Sequence, residues 1–271
     1  MIDLDTILSV FSFATGATIG SFLNVVIWRV PRGESIVSPP SHCPKCDAAI
    51  RWYQNIPIFS WLVLRGRCAN CRASISPRYI LVELLGGLLF LAAYLKFGMT
   101  CSTPVMWIWL ALMIVGSMID FDHKLLPDFV TVGGMILGLV YAGIVQLAGG
   151  IPFGLRCPVV QSLFGLGFGF GLLWLVRFLG SKAFGREAMG LGDVFLMGAV
   201  GSLFGPKAVL VTLILSSVFG SIVGLSMVAL SKTRFGRFAE IPFGPYICLG
   251  CLCCMFYGAE QLVDAYLRLF R

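Results

Sequence analysis

Gly190-Leu191-Gly192-Asp193, running directly into the apolar stretch Val194 to Phe204, decides how the chain folds, because it sets a carboxylate at the edge of a segment suited to lipid. An Asp at the centre of a membrane helix costs roughly 3 kcal/mol on insertion scales, so one held there faces protein interior and serves a purpose. Asp193 therefore calls for a partner. The best one upstream is Asp120, which ends the run Met106 to Ile119 and opens the segment Asp120-Phe121-Asp122-His123-Lys124-Leu125-Leu126-Pro127-Asp128. Two carboxylates at the ends of membrane helices suggest an intramembrane aspartyl protease.

The composition supports the membrane setting. Of 271 residues, 58% are hydrophobic and only 12% charged, which excludes an ordinary soluble protein. A span needs about 20 apolar residues. Such runs occur at Leu8 to Trp28, Tyr79 to Phe97, Pro104 to Ile119, Phe129 to Ala148, Val159 to Leu179, Ala208 to Leu230 and Phe243 to Tyr266, and Ala188 to Phe204 makes an eighth. The fold class expected is an all-α polytopic membrane protein of about eight transmembrane helices. The net charge of +7 does not point to nucleic acid, since the basic residues lie in loops between spans and not on one compact face.

Loop charge sets the orientation. With the N-terminus outside, the loops on the other side hold 15 of the 20 Lys and Arg residues, from Arg29 and Arg32 through Arg234 and Arg237. Lys96, Arg156, Lys207, Arg268 and Arg271 make the 5 on the outer side. By the positive-inside rule the basic loops are cytoplasmic and both termini lie outside, which an even number of spans satisfies. The first run follows Asp3 and Asp5 and lacks a basic leading region and a small-residue cleavage site, so it is expected to remain as span one. Within it, Gly16 and Gly20 form a small-xxx-small spacing that lets another helix approach.

Residues Val30 to Arg78 are the one long polar segment, and they contain Cys43-Pro44-Lys45-Cys46 and Cys68-Ala69-Asn70-Cys71, two C-x-x-C pairs separated by 21 residues. That spacing is close to the usual four-thiolate zinc site, whose closed tetrahedron leaves no open position and so is structural. Disulfides are the alternative, disfavoured in a reducing cytoplasm, and His42 beside Cys43 is an alternative ligand. A fold of only ~50 residues needs such a staple. Cys101, Cys157, Cys248, Cys251, Cys253 and Cys254 read instead as small thiols packed at or inside apolar helices.

The remaining polar residues are assigned by depth. Glu83, one turn inside span two, is expected to snorkel or to pair with Arg78. Asp122 and Asp128 read as loop acids or a helix cap before Phe129, and His123 as solvated. Ala188 to Phe204 is short for a span, about 25 Å as helix. Gly190 and Gly192 permit backbone conformations closed to other residues and let a substrate strand come near, and a helix start beside Asp193 favours its ionised form. Amide hydrolysis by two carboxylates needs one ionised to take a proton from water and one protonated to donate, a division that proximity imposes. No Gly-x-Ser-x-Gly or His-Glu-x-x-His offers a competing mechanism.

At these residues the chain resembles the type IV prepilin peptidases, the bifunctional leader peptidases and N-methyltransferases of bacterial pilus and type II secretion systems. The resemblance runs through Gly20-Ser21-Phe22-Leu23-Asn24-Val25-Val26, the four cysteines, Asn55-Ile56-Pro57, Arg78-Tyr79 with Val82-Glu83-Leu84, the Asp120 to Asp128 segment, Gly190 to Asp193, and Ile241-Pro242-Phe243-Gly244-Pro245. It implies catalytic aspartates at Asp120 and Asp193 and zinc ligands at Cys43, Cys46, Cys68 and Cys71. It further implies cleavage of a prepilin or pseudopilin leader on the cytoplasmic side after a Gly, then S-adenosylmethionine-dependent methylation of the new N-terminus, in the inner membrane. Two departures stand out: Phe195 where the family often has Lys, and Ala188-Met189 before Gly190 where Glu-Gly-Met is usual.

The organisation expected is a first transmembrane helix over 1–28, a cytoplasmic zinc-binding module over 29–78 associated with methyl transfer, and a transmembrane protease core over 79–271. No Gly-rich Rossmann turn marks a methyl-donor site, so methyl transfer rests on the resemblance. The alternatives are a peptidase without methyl transfer, a non-catalytic zinc-bearing membrane scaffold, or a proton-coupled transporter whose buried acids carry protons.

Overall fold

The computed structural model describes residues 3–148, 158–185, 187, 189–230 and 242–268. Met1, Arg156, Cys157, Arg186, Ala188, Lys232, Arg234, Arg237, Ile241 and Arg271, on which expectations above also rest, lie outside the described residues. Among those described there is helix and no strand, apart from the isolated bridges His42 to Ala49 and Arg67 to Ser74. The long helices are α1 (Leu4–Arg29), α3 (Arg78–Phe97), α4 (Ser102–His123), α5 (Asp128–Leu147), α6 (Val159–Phe184) and α7 (Leu191–Leu230). Shorter ones are α2 (Phe59–Val63), α8 (Gly244–Tyr257) and α9 (Ala259–Arg268). The chain divides into two compact units, Met1–Val115 and Gly116–Arg271, with the division inside α4.

The first unit is built on α1 against α3. A Cβ on Gly86 would lie 2.6 Å from the Gly16 carbonyl oxygen, and one on Gly20 would lie 2.9 Å from the Glu83 Cα, so the two backbones touch where the sequence has only hydrogen to offer. This is the close approach that the Gly16 and Gly20 spacing promises. Polar side chains tie the two ends of the pair: Asn24 Nδ2 donates to the Tyr79 carbonyl at 3.1 Å, and the Tyr94 hydroxyl donates to Asp5 at 3.2 Å. Trp107 of α4 donates its indole N–H to the Phe90 carbonyl at 3.0 Å and stacks on the Phe90 ring.

In the second unit α6 packs along α7, again through glycines, with Gly165 facing Gly201 backbone to backbone. The two runs expected as separate spans, Ala188 to Phe204 and Ala208 to Leu230, appear as one 40-residue helical stretch. Its helical path breaks at Gly205, where φ is 80° and ψ 177°, followed by Pro206. A Cβ on Gly201 would lie 3.0 Å from Val209 Cγ2, a contact a straight helix places about 12 Å apart, so the chain doubles back at Gly205. Only glycine takes that backbone readily, and the proline has no N–H to lose there.

Among the described residues six helices are long and apolar enough to cross a membrane, or seven if α8 and α9 form one bent span. The count of eight differs from this by taking α7 as two. The last run, expected to continue to Tyr266, instead ends at Tyr257 and turns by 90° at Gly258 into α9. The residues of α9 alternate in polarity at helical spacing, with Glu260, Asp264 and Arg268 among Leu262, Val263 and Leu267, and such a helix suits an interface rather than a hydrocarbon core. Cys248, Cys251 and Cys254 are buried on α8, Cys254 beside Thr212, as packed thiols.

Candidate active site and metal centre

Asp120 occupies the last turn of α4 and is 5% exposed; Asp193 occupies the first turn of α7 and is 8% exposed. Both belong to the second unit. Asp120 Oδ2 accepts a 2.9 Å hydrogen bond from the Gly244 N–H, at the first residue of α8. Pro245 has no N–H and the Tyr246 and Ile247 N–H groups bond the Phe243 carbonyl, so within the first turn of α8 it is the Gly244 N–H that holds Asp120 Oδ2. A Cβ at residue 244 would lie 2.6 Å from that same oxygen, so the hydrogen bond requires glycine.

Leu126 brings the two acids together. Its side chain lies where a Cβ on Gly192 would meet it at 2.7 Å and one on Gly244 at 3.4 Å. The residue next to Asp193 and the residue bonded to Asp120 thus share one neighbour, and the two carboxylates interact electrostatically. Asp193 is held through the Gly190 N–H, while its Oδ1 is buried with no hydrogen-bond partner among the described residues. A buried unpaired carboxylate oxygen is uncommon and favours a role in chemistry. Upstream, Arg177 of α6 donates to the Met189 carbonyl and to Glu187, each at 2.9 Å, which fixes the chain entering Gly190.

Asp122, His123 and Asp128 are exposed as expected, but they lie at helix ends and not in the loop, Asp122 and His123 in the last turn of α4 and Asp128 as the first residue of α5. Phe195 packs edge-on against Phe170 of α6, so the residue that departs from the family pattern is absorbed by aromatic packing. Leu126 and Gly244 escaped the sequence reading as site residues. The Pro-Phe-Gly-Pro stretch around Gly244 was visible as a motif, but nothing local indicated that it meets Asp120.

In the first unit the four Sγ atoms of Cys43, Cys46, Cys68 and Cys71 all lie within 4.8 Å of one another. Cys43 and Cys71 are 3.8 Å apart, the edge of a tetrahedron with metal–sulfur bonds of ~2.3 Å. The two C-x-x-C turns repeat one geometry. The N–H of Cys43 donates to the Ala48 carbonyl and that of Asp47 to the Cys43 carbonyl; the N–H of Cys68 donates to Ala73 and that of Arg72 to Cys68. Asp47 and Arg72 each take a positive φ, of 52° and 59°. His42 bonds the Pro40 carbonyl and stands outside the four-thiol cluster.

The Cys71 and Asn70 backbone N–H groups pull the Cys68 thiol down to about 6, and the Ala48 N–H and the Asn70 side chain lower Cys46. Although the Ala73 N–H pulls Cys71 downward, its bonds to the Cys46 and Cys68 sulfurs with some burial push it up to about 11. Four adjacent thiols cannot all ionise without a cation, and this cluster is shaped to receive one. Glu83 differs from its expected surface role: it is buried, and it accepts the Ile58 N–H at 2.7 Å and the Ser21 hydroxyl.

These features define a multi-pass membrane protein with a buried helix-end carboxylate pair in one unit and a metal-ready thiol cluster in the other. Residues 14–97 match the bacterial peptidase A24 N-terminal domain, and residues 107–225 match the type IV leader peptidase family. The prepilin leader peptidase/N-methyltransferase of Stutzerimonas stutzeri is 36% identical over 94% of this chain and 92% of its own. That of Pseudomonas aeruginosa is 34% identical over 93% of this chain and 91% of its own, and that of Myxococcus xanthus 41% over 86% of this chain and 66% of its own. The chain belongs to the type IV leader peptidase family. No solved structure matches it.

Proposed function

We propose that this chain is an aspartyl endopeptidase of the inner membrane that cleaves the leader of type IV prepilin-like precursors on the cytoplasmic side, after a Gly, and methylates the new N-terminus. The observation that carries the reading is the burial of Asp120 and Asp193 at helix ends tied together through Gly192, Leu126 and Gly244. One carboxylate takes a proton from water as the water oxygen attacks the scissile carbonyl, while the other gives its proton to the carbonyl oxygen; the first then passes the water-derived proton to the leaving amine as the second takes a proton back from the diol. The Gly244 N–H holds Asp120 in place through both steps, and the buried Asp193 Oδ1, with no hydrogen-bond partner among the described residues, has its lone pairs uncommitted for the reacting atoms. Gly190, where an added Cβ would meet nothing closer than Asp193 Oδ2 at 3.5 Å, leaves room for an extended substrate strand, whereas the space at Gly192 is taken by Leu126.

Residues 1–28 form the first span, 29–78 the cytoplasmic module, and 79–271 the protease core, with both termini outside. The thiol cluster holds structural zinc through Cys43, Cys46, Cys68 and Cys71. The metal supplies folding energy to a module with little apolar core, and its four-sulfur shell leaves no place for water. Prepilins or pseudopilins are the substrates, and S-adenosylmethionine the methyl source. The experiment is mass spectrometry of a prepilin incubated with the protein and its variants. The parent yields leader-free, methylated product, Asp120→Asn and Asp193→Asn yield none, and Asp122→Asn and Asp128→Asn retain part. Full cleavage by Asp193→Asn at parental membrane level would end the aspartyl mechanism.

A further inference from the structure

Three motif stretches take no part in the aspartate site: Gly20 to Val26, Asn55 to Pro57, and Glu83. In the first unit they meet. A cavity of about 350 Å³ opens between α1 and the segment that follows it, lined by Ser21, Val25, Arg29, Ser41, Asn55 and Pro57 among others. It reaches down α1 as far as Thr18, about 16 Å from Arg29 along the helix, and it lies within the size range of small-molecule sites.

We propose that this cavity is the methyl-transfer pocket, taking a sulfonium methyl donor of the S-adenosylmethionine class together with the free α-amine that leader cleavage creates. This rests on the methyltransferase part of the function proposed above. The cavity has the polarity such a ligand needs. Phe22, Ile36 and Val37 offer apolar walls to a base. Arg29 is 8% exposed, and its guanidinium is anchored by bonds to the Ser35 and Pro39 carbonyls at 2.8 and 2.7 Å, which leaves further N–H groups for a carboxylate. The Asn55 amide and the Ser21 and Ser41 hydroxyls complete the polar lining.

Glu83 acts here as a positioning residue. It binds Ser21, which lines the cavity, and the N–H of Ile58, next to the lining Pro57. Ile58 sits at φ 64°, a conformation a β-branched side chain avoids, and the bond to Glu83 holds it there. The carboxylate thereby folds the Asn55 to Pro57 turn onto α1. The amine reacts once its ammonium has lost a proton to water in the open cavity. Its lone pair forms the N–C bond to the methyl carbon as the C–S bond breaks, and that electron pair goes to sulfur, which leaves as a neutral thioether.

The test uses the full-length, zinc-loaded protein and methyl-tritiated S-adenosylmethionine, cross-linked by ultraviolet light and mapped by peptide digestion. Label is expected within residues 18–57. Val25→Trp fills the cavity and should abolish cross-linking and methylation while zinc content and leader cleavage stay parental. Asn55→Ala, a milder change that spares the helix, should raise the donor KM about tenfold, and so should Glu83→Gln, with cleavage unchanged. Label mapping elsewhere overturns the proposal, as does parental donor binding in both Val25→Trp and Asn55→Ala. A parent protein that cleaves but neither binds donor nor methylates overturns the methyltransferase reading and the pocket with it.

Discussion

Replacing Gly244 by Ala tests whether the Asp120 hydrogen bond is part of catalysis. The added Cβ would lie 2.6 Å from Asp120 Oδ2 and 3.2 Å from its Cγ, so the carboxylate and the start of α8 must separate and the 2.9 Å bond is lost. Helix propensity acts the other way, since Ala is about 1 kcal/mol better than Gly in a helix, and a loss of rate then reports the clash. A hydrogen bond to a charged group contributes about 1.5–3 kcal/mol net. If it holds Asp120 throughout the reaction, kcat/KM for leader cleavage falls about 10- to 150-fold, at 1.36 kcal/mol per decade. The assay is prepilin cleavage in proteoliposomes, with thermal unfolding measured in parallel. Parental kcat/KM at equal protein level would refute the role given to Gly244, and so would a loss matched by an equal loss of folded protein.

The purified protein should carry one zinc per chain, and Cys68→Ser should lose methylation more severely than cleavage; equal loss of both would mean the module supports the protease core. Zinc uptake should release protons and tighten as pH rises, because Cys71, pushed up to about 11, must give up its proton to bind while Cys68, pulled down to about 6, gives it up first, and the fall in affinity should steepen below about 6; metal content after dialysis across pH 5 to 8 reads this. Cys101, exposed between α3 and α4 and on the outer side in the proposed orientation, should react with a membrane-impermeant maleimide in intact cells, whereas Cys71 should not; the reverse pattern would overturn that orientation. Gly86→Leu should destabilise the first unit by about 1–3 kcal/mol or more in thermal unfolding, since the side chain meets the Gly16 backbone, while the lipid-facing Leu88→Ala stays near neutral.

What the sequence revealed follows from what a local stretch can encode. Apolar runs of a given length read as spans because hydrocarbon thickness sets that length independently of neighbours. The thiol cluster was legible because its ligands come as two short turns whose geometry each sequence fixes alone. The ends of α7 and α8 were less legible. Phe204-Gly205-Pro206-Lys207 marks a break, but only the contact of Val209 with Gly201 shows that the chain reverses there. Past Tyr257 the average hydropathy of the run concealed a change of pattern, from apolar all round in α8 to amphipathic in α9.

The acids illustrate the same limit from the functional side. Depth marked Asp120 and Asp193 because a carboxylate beside an apolar run is costly unless the protein encloses it. Enclosure is the work of residues with no chemistry of their own: Gly192 and Gly244 withdraw, and Leu126 fills the space between. Residues 120, 126, 192 and 244 are far apart in the chain, and each of the last three is an ordinary choice in its own segment. The site therefore depends on two places where a side chain is missing as much as on the two where a carboxylate is present. A substitution that adds one methyl group at residue 192 or 244 should accordingly damage cleavage more than the exposed Asp122→Asn or Asp128→Asn, although only the latter pair removes a charge.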